Sequence, residues 1–252
     1  MTKQEALYTY TLRLGDNALI AGHRLSEWCS RGPILEEDLA LTNMALDHIG
    51  RAAAFLKYAG QVENKGRTED DLAYKRGERS FYNNLIAELP NHDFAFTMAR
   101  QLAIACFEYY LFAELSKSKD ETIAGISQKA LKEVKYHLAH ASDWVCRLGD
   151  GTEESHRRIQ KAIDKVWMYT GEMFEMTEAD TILLREGIAV DLKALESQWH
   201  HHIREVLVEA TLQVPEDGYM QTGSRQGIHT EYLGHILSEM QYLQRAYPTA
   251  QW

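Results

Sequence analysis

The chain has 252 residues, a formal net charge of −10 at pH 7, and 45% hydrophobic residues. This acidic balance excludes nucleic acid and anionic membrane surfaces as expected partners, because both require a positive surface. Plentiful Ala, Leu, Glu, Gln and Lys, with only four prolines, favours an all-α fold, and we expect residues 1–252 to form a single domain with a sizeable core.

Apolar residues at helical spacing predict four long helices in the first part of the chain. They cover residues 6–31, 35–58, 93–118 and 122–148, and glycine or proline follows each of the first, second and fourth. The charged segment 60–77 is predicted to be a solvated connection with a short helical turn. Four long antiparallel helices with a long second connection are the plan of a ferritin-like four-helix bundle.

Additional C-terminal helices follow. We predict them over residues 153–176, 178–186, 191–212 and 230–246, with Asp191 as the N-cap of the third. The segment 214–228 contains one proline and several glycines and is predicted to be irregular. The fold class expected is therefore all-α, a ferritin-like four-helix bundle with additional C-terminal helices.

Two helices have a regular apolar seam, which predicts the face that packs against other helices. In the second helix the seam alternates spacings of four and three: Leu35, Leu39, Thr42, Leu46, Ile49, Ala53 and Leu56. In the fourth it comprises Leu131, Val134, Leu138, Ala141, Val145 and Leu148, with His137 at its edge.

A di-iron carboxylate centre in such a bundle takes one carboxylate from each of two helices and a Glu-x-x-His pair from each of the other two. The first helix offers Asp16, and the third offers Glu108. The seam of the second helix offers only Leu46 and Ile49 at the required spacing, and the fourth offers the pair Val134 and His137.

Three of these six positions could ligate a metal, and the other three are hydrocarbon. Three ligands without bridging carboxylates cannot hold two irons, and the predicted seams lack the second histidine of a two-His-one-carboxylate site. We therefore expect no catalytic and no metal-binding residue, but a vestigial pocket in which Asp16, Glu108 and His137 satisfy one another. Asp47, His48 and Glu133 lie off the seams.

Other candidate groups favour ordinary structure. Consecutive side chains on a helix point about 100° apart, so His200, His201 and His202 are expected to be solvated rather than to chelate one ion. Glu133 and His137 are typical of a helix pair four residues apart. The glycine-flanked segment 222–227 lacks the Lys-Ser/Thr ending of a P-loop, which favours a turn.

The three cysteines, Cys29, Cys106 and Cys146, are scattered in apolar helical contexts without a CxxC spacing. This pattern predicts buried free thiols in a reducing compartment. Glu5 and Arg13 interrupt any signal-peptide core, and no run approaches the ~18 apolar residues of a membrane span. We therefore expect a cytoplasmic protein without a membrane segment.

Several longer stretches carry a family resemblance. They are residues 9–17 (TYTLRLGDN), the Leu46-Asp47 helix, Ala99-Arg100-Gln101, residues 132–138 (KEVKYHL), and the tail residues 227–234 and 239–245. On these residues the chain resembles the C subunits of the bacterial ring-1,2-phenylacetyl-CoA epoxidases from end to end, most specifically in the tail.

The resemblance implies a ferritin-like, non-catalytic subunit that pairs with a related A subunit. It implies that the A subunit holds the non-haem di-iron centre and binds phenylacetyl-CoA. A small B subunit and a reductase with flavin and iron–sulfur groups complete the complex, so no cofactor is expected in this chain. The active pattern, carried over, falls on Asp16, Leu46/Ile49 and Val134/His137, and three of these five positions depart from it.

The leading hypothesis is a structural subunit in phenylacetate degradation that offers an outer helical face to the catalytic subunit. The second helix and the glycine-rich tail with the last helix are the expected contact surfaces. One alternative is a stand-alone di-iron or single-metal oxygenase that uses Asp16, Glu108 and His137 with Glu133. Another is a ferritin-like protein that binds a metal or a small molecule.

Overall fold

The computed structural model describes residues 1–216 and 218–250, and no β-strand occurs among them. The fold class is all-α, consistent with a ferritin-like bundle, as the sequence predicts. The helices are α1 (Lys3–Ser26), α2 (Leu35–Glu63), α3 (Glu69–Tyr74), α4 (Phe94–Leu115), α5 (Glu121–Gly149), α6 (Glu153–Trp167), α7 (Glu178–Arg185), α8 (Leu192–Glu209) and α9 (Glu231–Ala246).

The described chain divides into two compact units. Unit 1 comprises Met1–Pro90 together with the chain from Gly223 onward, and unit 2 comprises Asn91–Thr222. Unit 1 therefore contains α1, α2, α3 and α9, and unit 2 contains α4 to α8. The single domain over residues 1–252 that the sequence predicts remains a prediction.

In unit 1, α1 and α2 pack along their lengths. A Cβ atom on Gly15 would lie 2.7 Å from a methyl carbon of Leu56, so glycine permits this close approach. α3, α9 and the segment between α3 and α4 complete the core. Its larger buried members are Leu12, Leu19, Ile20, Leu56, Leu72, Phe81, Leu233, Ile236 and Leu237.

Only part of the predicted seam of α2 is buried: Leu56 is 1% exposed, and Thr42 and Ile49 are half-buried. Leu35, Leu39 and Leu46 are 71%, 55% and 64% exposed, so the prediction that they face the core is wrong. The face that is buried instead comprises Leu41, Met44, Ala45, His48, Arg51, Ala52, Phe55, Leu56 and Ala59. Both faces of the helix are apolar at helical spacing, and periodicity alone does not identify which of the two is covered.

The connection after α2 also differs from its prediction. α2 continues to Glu63 and ends at Asn64, whose φ of 56° is the left-handed conformation common after a helix. The following charged segment is not uniformly solvated, because Leu72 is buried and Arg76 is only 5% exposed.

In unit 2, α4 and α5 pack along their lengths, and α6 and α8 cover α4. α4 is buried nearly all round, from Ala95 to Glu108. The predicted seam of α5 is confirmed at Val134, Leu138, Ala141 and Val145, which are all buried. The remaining predicted members, Leu131 and Leu148, are half-buried.

One outer helix of unit 2, α6, is shorter than predicted. α6 ends at Trp167 rather than at 176, and Gly171–Phe174 forms a separate 3-10 turn. The Thr170 hydroxyl donates to the Trp167 carbonyl at 2.8 Å, which satisfies a carbonyl that the next helical turn would otherwise use. Asp191 caps α8 as predicted, because its carboxylate accepts from the Lys193 N–H.

The thiols only partly match their prediction. Cys106 is buried and Cys146 is half-buried, but Cys29 is exposed, so its predicted burial is wrong. Burial raises the pKa of the Cys106 thiol above its ordinary value. Among the described residues, no helix has both the length and the apolar character needed to cross a membrane.

Candidate functional site

Asp16 lies in the middle of α1 and is fully buried. Both of its carboxylate oxygens are bonded within unit 1: Arg76 donates to Oδ1 and, at 3.0 Å, to Oδ2, and the Tyr82 N–H donates to Oδ2 at 3.0 Å. The prediction that Asp16 is satisfied by the other acids and histidines of the pocket is therefore wrong. The guanidinium of Arg76, in the charged segment 60–77, pairs with the Asp16 carboxylate instead.

Arg76 makes further contacts within unit 1. Beyond Asp16, it donates to the carbonyl of Ser80 at 2.6 Å and to that of Leu72, and its guanidinium carbon lies 4.1 Å from the ring centre of Phe81. Burial raises the pKa of the Asp16 carboxyl, and the positive charge of Arg76 acts in the opposite direction. The pair is thus a charge-assisted, bidentate contact, and two backbone carbonyls accept from other donors of the guanidinium.

On α2, the predicted pocket residues Leu46 and Ile49 do not form an inward pair. Leu46 is exposed, and Ile49 is half-buried against Gly22 of α1, so their assignment to the Glu-x-x-His positions is wrong. The buried residues three apart are Ala45 and His48. The helix therefore has hydrocarbon in place of the glutamate and retains the histidine.

His48 lies off the predicted seam, but it is only 1% exposed. Its Nδ1 lies 2.6 Å from Nη2 of Arg51, one turn further along α2. Arginine has no acceptor, so Arg51 donates, Nδ1 accepts, and the ring proton sits on Nε2. Neither ring nitrogen of a neutral His48 then has a lone pair left for a metal.

In unit 2, Glu108 on α4 and His137 on α5 are both buried, at 6% and 1% exposure. Each offers a ligand atom, and these atoms lie within 4.8 Å of each other. Val134, one turn before His137, is 0% exposed. α5 thus repeats the pattern of α2, with a buried aliphatic side chain followed three residues later by a buried histidine.

These residues do not fit a di-iron centre. The carboxylates of the two Glu-x-x-His pairs are replaced by Ala45 and Val134, although both helices keep a histidine. Asp16 and His48 each direct their acceptor atoms at an arginine. Since di-iron sites of this class depend on bridging carboxylates, the donor set lacks the groups that would hold two metal ions.

Unit 1 contains a second buried polar group, which the sequence patterns do not predict. Glu88 is 0% exposed, and its carboxylate accepts from His229 Nδ1 at 2.6 Å, from the Thr230 N–H at 2.9 Å and from the Thr230 hydroxyl at 2.6 Å. Asn83 adds a fourth donor at 2.9 Å. His229 and Glu88 are 141 residues apart, so no local spacing signals their contact.

The remaining candidates behave as structural groups. His201 is exposed and lies 3.4 Å from Glu205, whereas His202 lies 3.2 Å from the Tyr110 hydroxyl, so the consecutive histidines point to different surroundings. His200 and His202 are both half-buried, and His200 stacks on Phe174, so the predicted solvation is wrong for these two histidines. Residues 224–226 form a 3-10 turn, as expected for turn chemistry.

Two comparisons with known proteins cover essentially the whole chain. A family model described as "Phenylacetic acid catabolic protein" matches residues 1–252. The chain is also 48% identical over 246 residues to the C subunit of 1,2-phenylacetyl-CoA epoxidase from Escherichia coli (strain K12). That match spans 98% of this chain and 99% of the E. coli protein.

Proposed function

Because the chain belongs to the phenylacetic acid catabolic protein family, we propose that it is the structural, non-catalytic subunit of a phenylacetyl-CoA epoxidase complex. In this role it supports the fold and the substrate pocket of a related catalytic subunit. The sequence identity to the C subunit of such an epoxidase supports the assignment to the complex.

One observation supports the non-catalytic part of the proposal: arginines donate hydrogen bonds to two side chains that could otherwise ligate a metal. Arg76 donates to both oxygens of Asp16, and Arg51 donates to Nδ1 of His48. A fixed guanidinium supplies positive charge where an active homologue would need a metal ion. Ala45 and Val134, both buried, remove the two carboxylates that would complete the centre.

The partners and cofactors of the proposal follow from this assignment. A catalytic A subunit holds the non-haem di-iron centre and binds the acyl-CoA, and a small B subunit and a flavin and iron–sulfur reductase complete the complex. No cofactor is assigned to this chain. The expected setting is the cytoplasm, where coenzyme A esters and reduced cofactors are available.

The test is to co-express this chain with its catalytic subunit, separate the two under mild denaturation, and measure iron in each by mass spectrometry. We expect stoichiometric iron in the catalytic subunit and only trace iron in this chain. Stoichiometric iron in this chain, together with acyl-CoA oxidation by this chain and a reductase alone, would overturn the proposal.

One alternative is a single-metal oxygenase, which the proximity of Glu108 and His137 favours. In that case His137→Ala would abolish metal uptake by the isolated chain. If metal content is the same in His137→Ala as in the unaltered chain, this alternative fails. A ferritin-like binding protein is the other alternative, and calorimetric titration of the isolated chain with iron and with acyl-CoA tests it.

A further inference from the structure

The exposed face of α2 is an apolar stripe. Leu35, Leu39 and Leu46 are 71%, 55% and 64% exposed, and Ala53 continues their line. These positions are spaced four, seven and seven residues apart, so they fall on one side of the helix over about 27 Å, at 1.5 Å per residue. We call Leu35, Leu39, Leu46, Gly50 and Ala53 the α2 stripe.

The spacing of the stripe identifies the kind of partner. Several exposed leucines along one side of a helix are uncommon on a monomer and are typical of an interaction surface. Intervals of four and seven residues are those of a helix that packs lengthwise against another helix. A strand or a small molecule would cover only part of such a line, whereas one long helix covers all of it.

Gly50 is the point on the α2 stripe where a partner backbone could approach most closely. It lies within the α2 stripe between Leu46 and Ala53, in the interior of α2, and a Cβ atom placed on it would meet nothing within 4 Å. Glycine in a helix interior is less favourable than alanine, and nothing within this chain requires it here. A partner backbone that packs against this point would require it.

Charges at the two ends of the α2 stripe indicate the chemistry of the partner helix. Glu36 and Asp38 flank its start, and the backbone N–H of Gly32 holds the pKa of Asp38 below its ordinary value. Lys57 is exposed beyond its end. The matching helix therefore has an apolar seam with a basic side chain at one end and an acidic side chain at the other.

We propose that the α2 stripe is the docking seam for one long helix of the catalytic subunit. This inference rests on the proposed function, and it adds which face of this chain meets the catalytic subunit. The partner helix lies along α2 and brings its backbone closest at Gly50.

The first test compares Leu46→Gln with Val208→Gln, a matched control on α8 where the side chain is 66% exposed. Both replacements are at exposed positions, so both variants are expected to fold, and circular dichroism verifies this. We expect Leu46→Gln to weaken binding to the purified catalytic subunit by at least about tenfold and Val208→Gln to change it by less than about twofold.

The second test uses alanine at two exposed glycines that both have open space around a new Cβ atom, Gly50 and Gly125 of α5. Each alanine is expected to raise the melting temperature of the isolated chain. Only Gly50→Ala is expected to weaken the complex, because the added methyl group separates the two helices.

The outcomes distinguish this inference from the proposed function. If the unaltered chain binds the catalytic subunit and neither Leu46→Gln nor Gly50→Ala weakens that binding, the docking seam is overturned while the proposed function stands. If the isolated chain forms a dimer that Leu46→Gln dissociates, the occupant is a second copy and the inference is overturned. If the unaltered chain does not bind the catalytic subunit, the proposed function fails first.

Discussion

Asp16 shows how donors from the protein itself can balance a buried carboxylate. Its carboxylate is fully buried, and such a group is stable only when it is neutralised or fully hydrogen-bonded. Arg76 and the Tyr82 N–H supply these donors from a segment about sixty residues away in sequence. The carboxylate of Asp16 is therefore stabilised by hydrogen bonds within unit 1.

Replacing Arg76 by alanine is expected to lower the free energy of unfolding by about 3–5 kcal/mol, because the Asp16 charge is left buried and unpaired. Urea unfolding followed by circular dichroism measures this loss. Adding Asp16→Asn to the Arg76 variant should recover part of it, since the uncompensated charge is gone. Arg79→Ala, at an exposed position, is the control and should change stability by less than about 0.5 kcal/mol.

His229 is a second residue whose surroundings determine its charge. Nδ1 faces the Glu88 carboxylate at 2.6 Å, and Nε2 faces the Phe81 carbonyl at 2.9 Å. Both neighbours are acceptors, so both ring nitrogens donate and the ring is an imidazolium. Burial by itself lowers the pKa of His229, but the hydrogen bond and charge of Glu88 outweigh it, and the pKa lies above its ordinary value.

This raised pKa predicts a pH dependence of stability. The contribution of His229 is fully present below about pH 6.5, where the unfolded histidine is also protonated, and is lost as pH rises through the higher pKa of the folded state. Comparing urea unfolding of the unaltered chain and His229→Gln from pH 6 to pH 9 should show a difference that shrinks with rising pH. His201→Gln, at an exposed site, should give a constant difference.

At the scale of elements, the existence and order of the long helices followed from apolar periodicity. α5 also had its buried face predicted, because it has a single apolar stripe between polar faces. α2 did not, because its exposed leucines are spaced as regularly as the apolar residues that are buried. Which face is covered depends on the neighbouring helices, which a single helix sequence does not encode.

The same limit explains the partner of Asp16. An acid in the middle of a helix is visible in the sequence, and so is the need to neutralise it when buried. Arg76, however, lies in a stretch whose composition is typical of a solvated connection. Arg76 is buried through its contacts with the Phe81 ring and the Leu72 carbonyl, and no periodic pattern in the sequence predicts these contacts.

Alanine at two glycines of α5 is expected to change the free energy of unfolding in opposite directions, which tests how this helix packs. A methyl group on Gly125 meets open space, so Gly125→Ala should raise the free energy of unfolding by about 0.5–1 kcal/mol through helix propensity alone. A methyl group on Gly149 would overlap the carbonyl oxygen of Ala210, so Gly149→Ala should lower it by about 1–3 kcal/mol. Equal effects at both positions in urea unfolding would contradict the packing of α5 on the end of α8.

At the scale of the whole chain, the end of the sequence returns to unit 1. Leu233, Ile236 and Leu237 of α9 are buried in the same core as α1 and α2. Gln241 donates to the carbonyls of Ala73 and Arg76 at 3.0 and 3.1 Å. The tail residues that carried the family resemblance thus stabilise the segment that holds Arg76 and Glu88.

Truncation after Thr222 is therefore expected to loosen residues 64–90 selectively. It removes the three buried apolar side chains of α9 and leaves the Glu88 carboxylate without His229 and Thr230. Limited trypsin digestion with mass spectrometry should show rapid cleavage at Lys75, Arg76 and Arg79, while the fragment from Asn91 onward survives longer. A chain ending at Ala246 keeps all of α9 and should be cut in this segment no faster than the full chain. Equal resistance of the two truncated chains would show that α9 does not hold this segment in place.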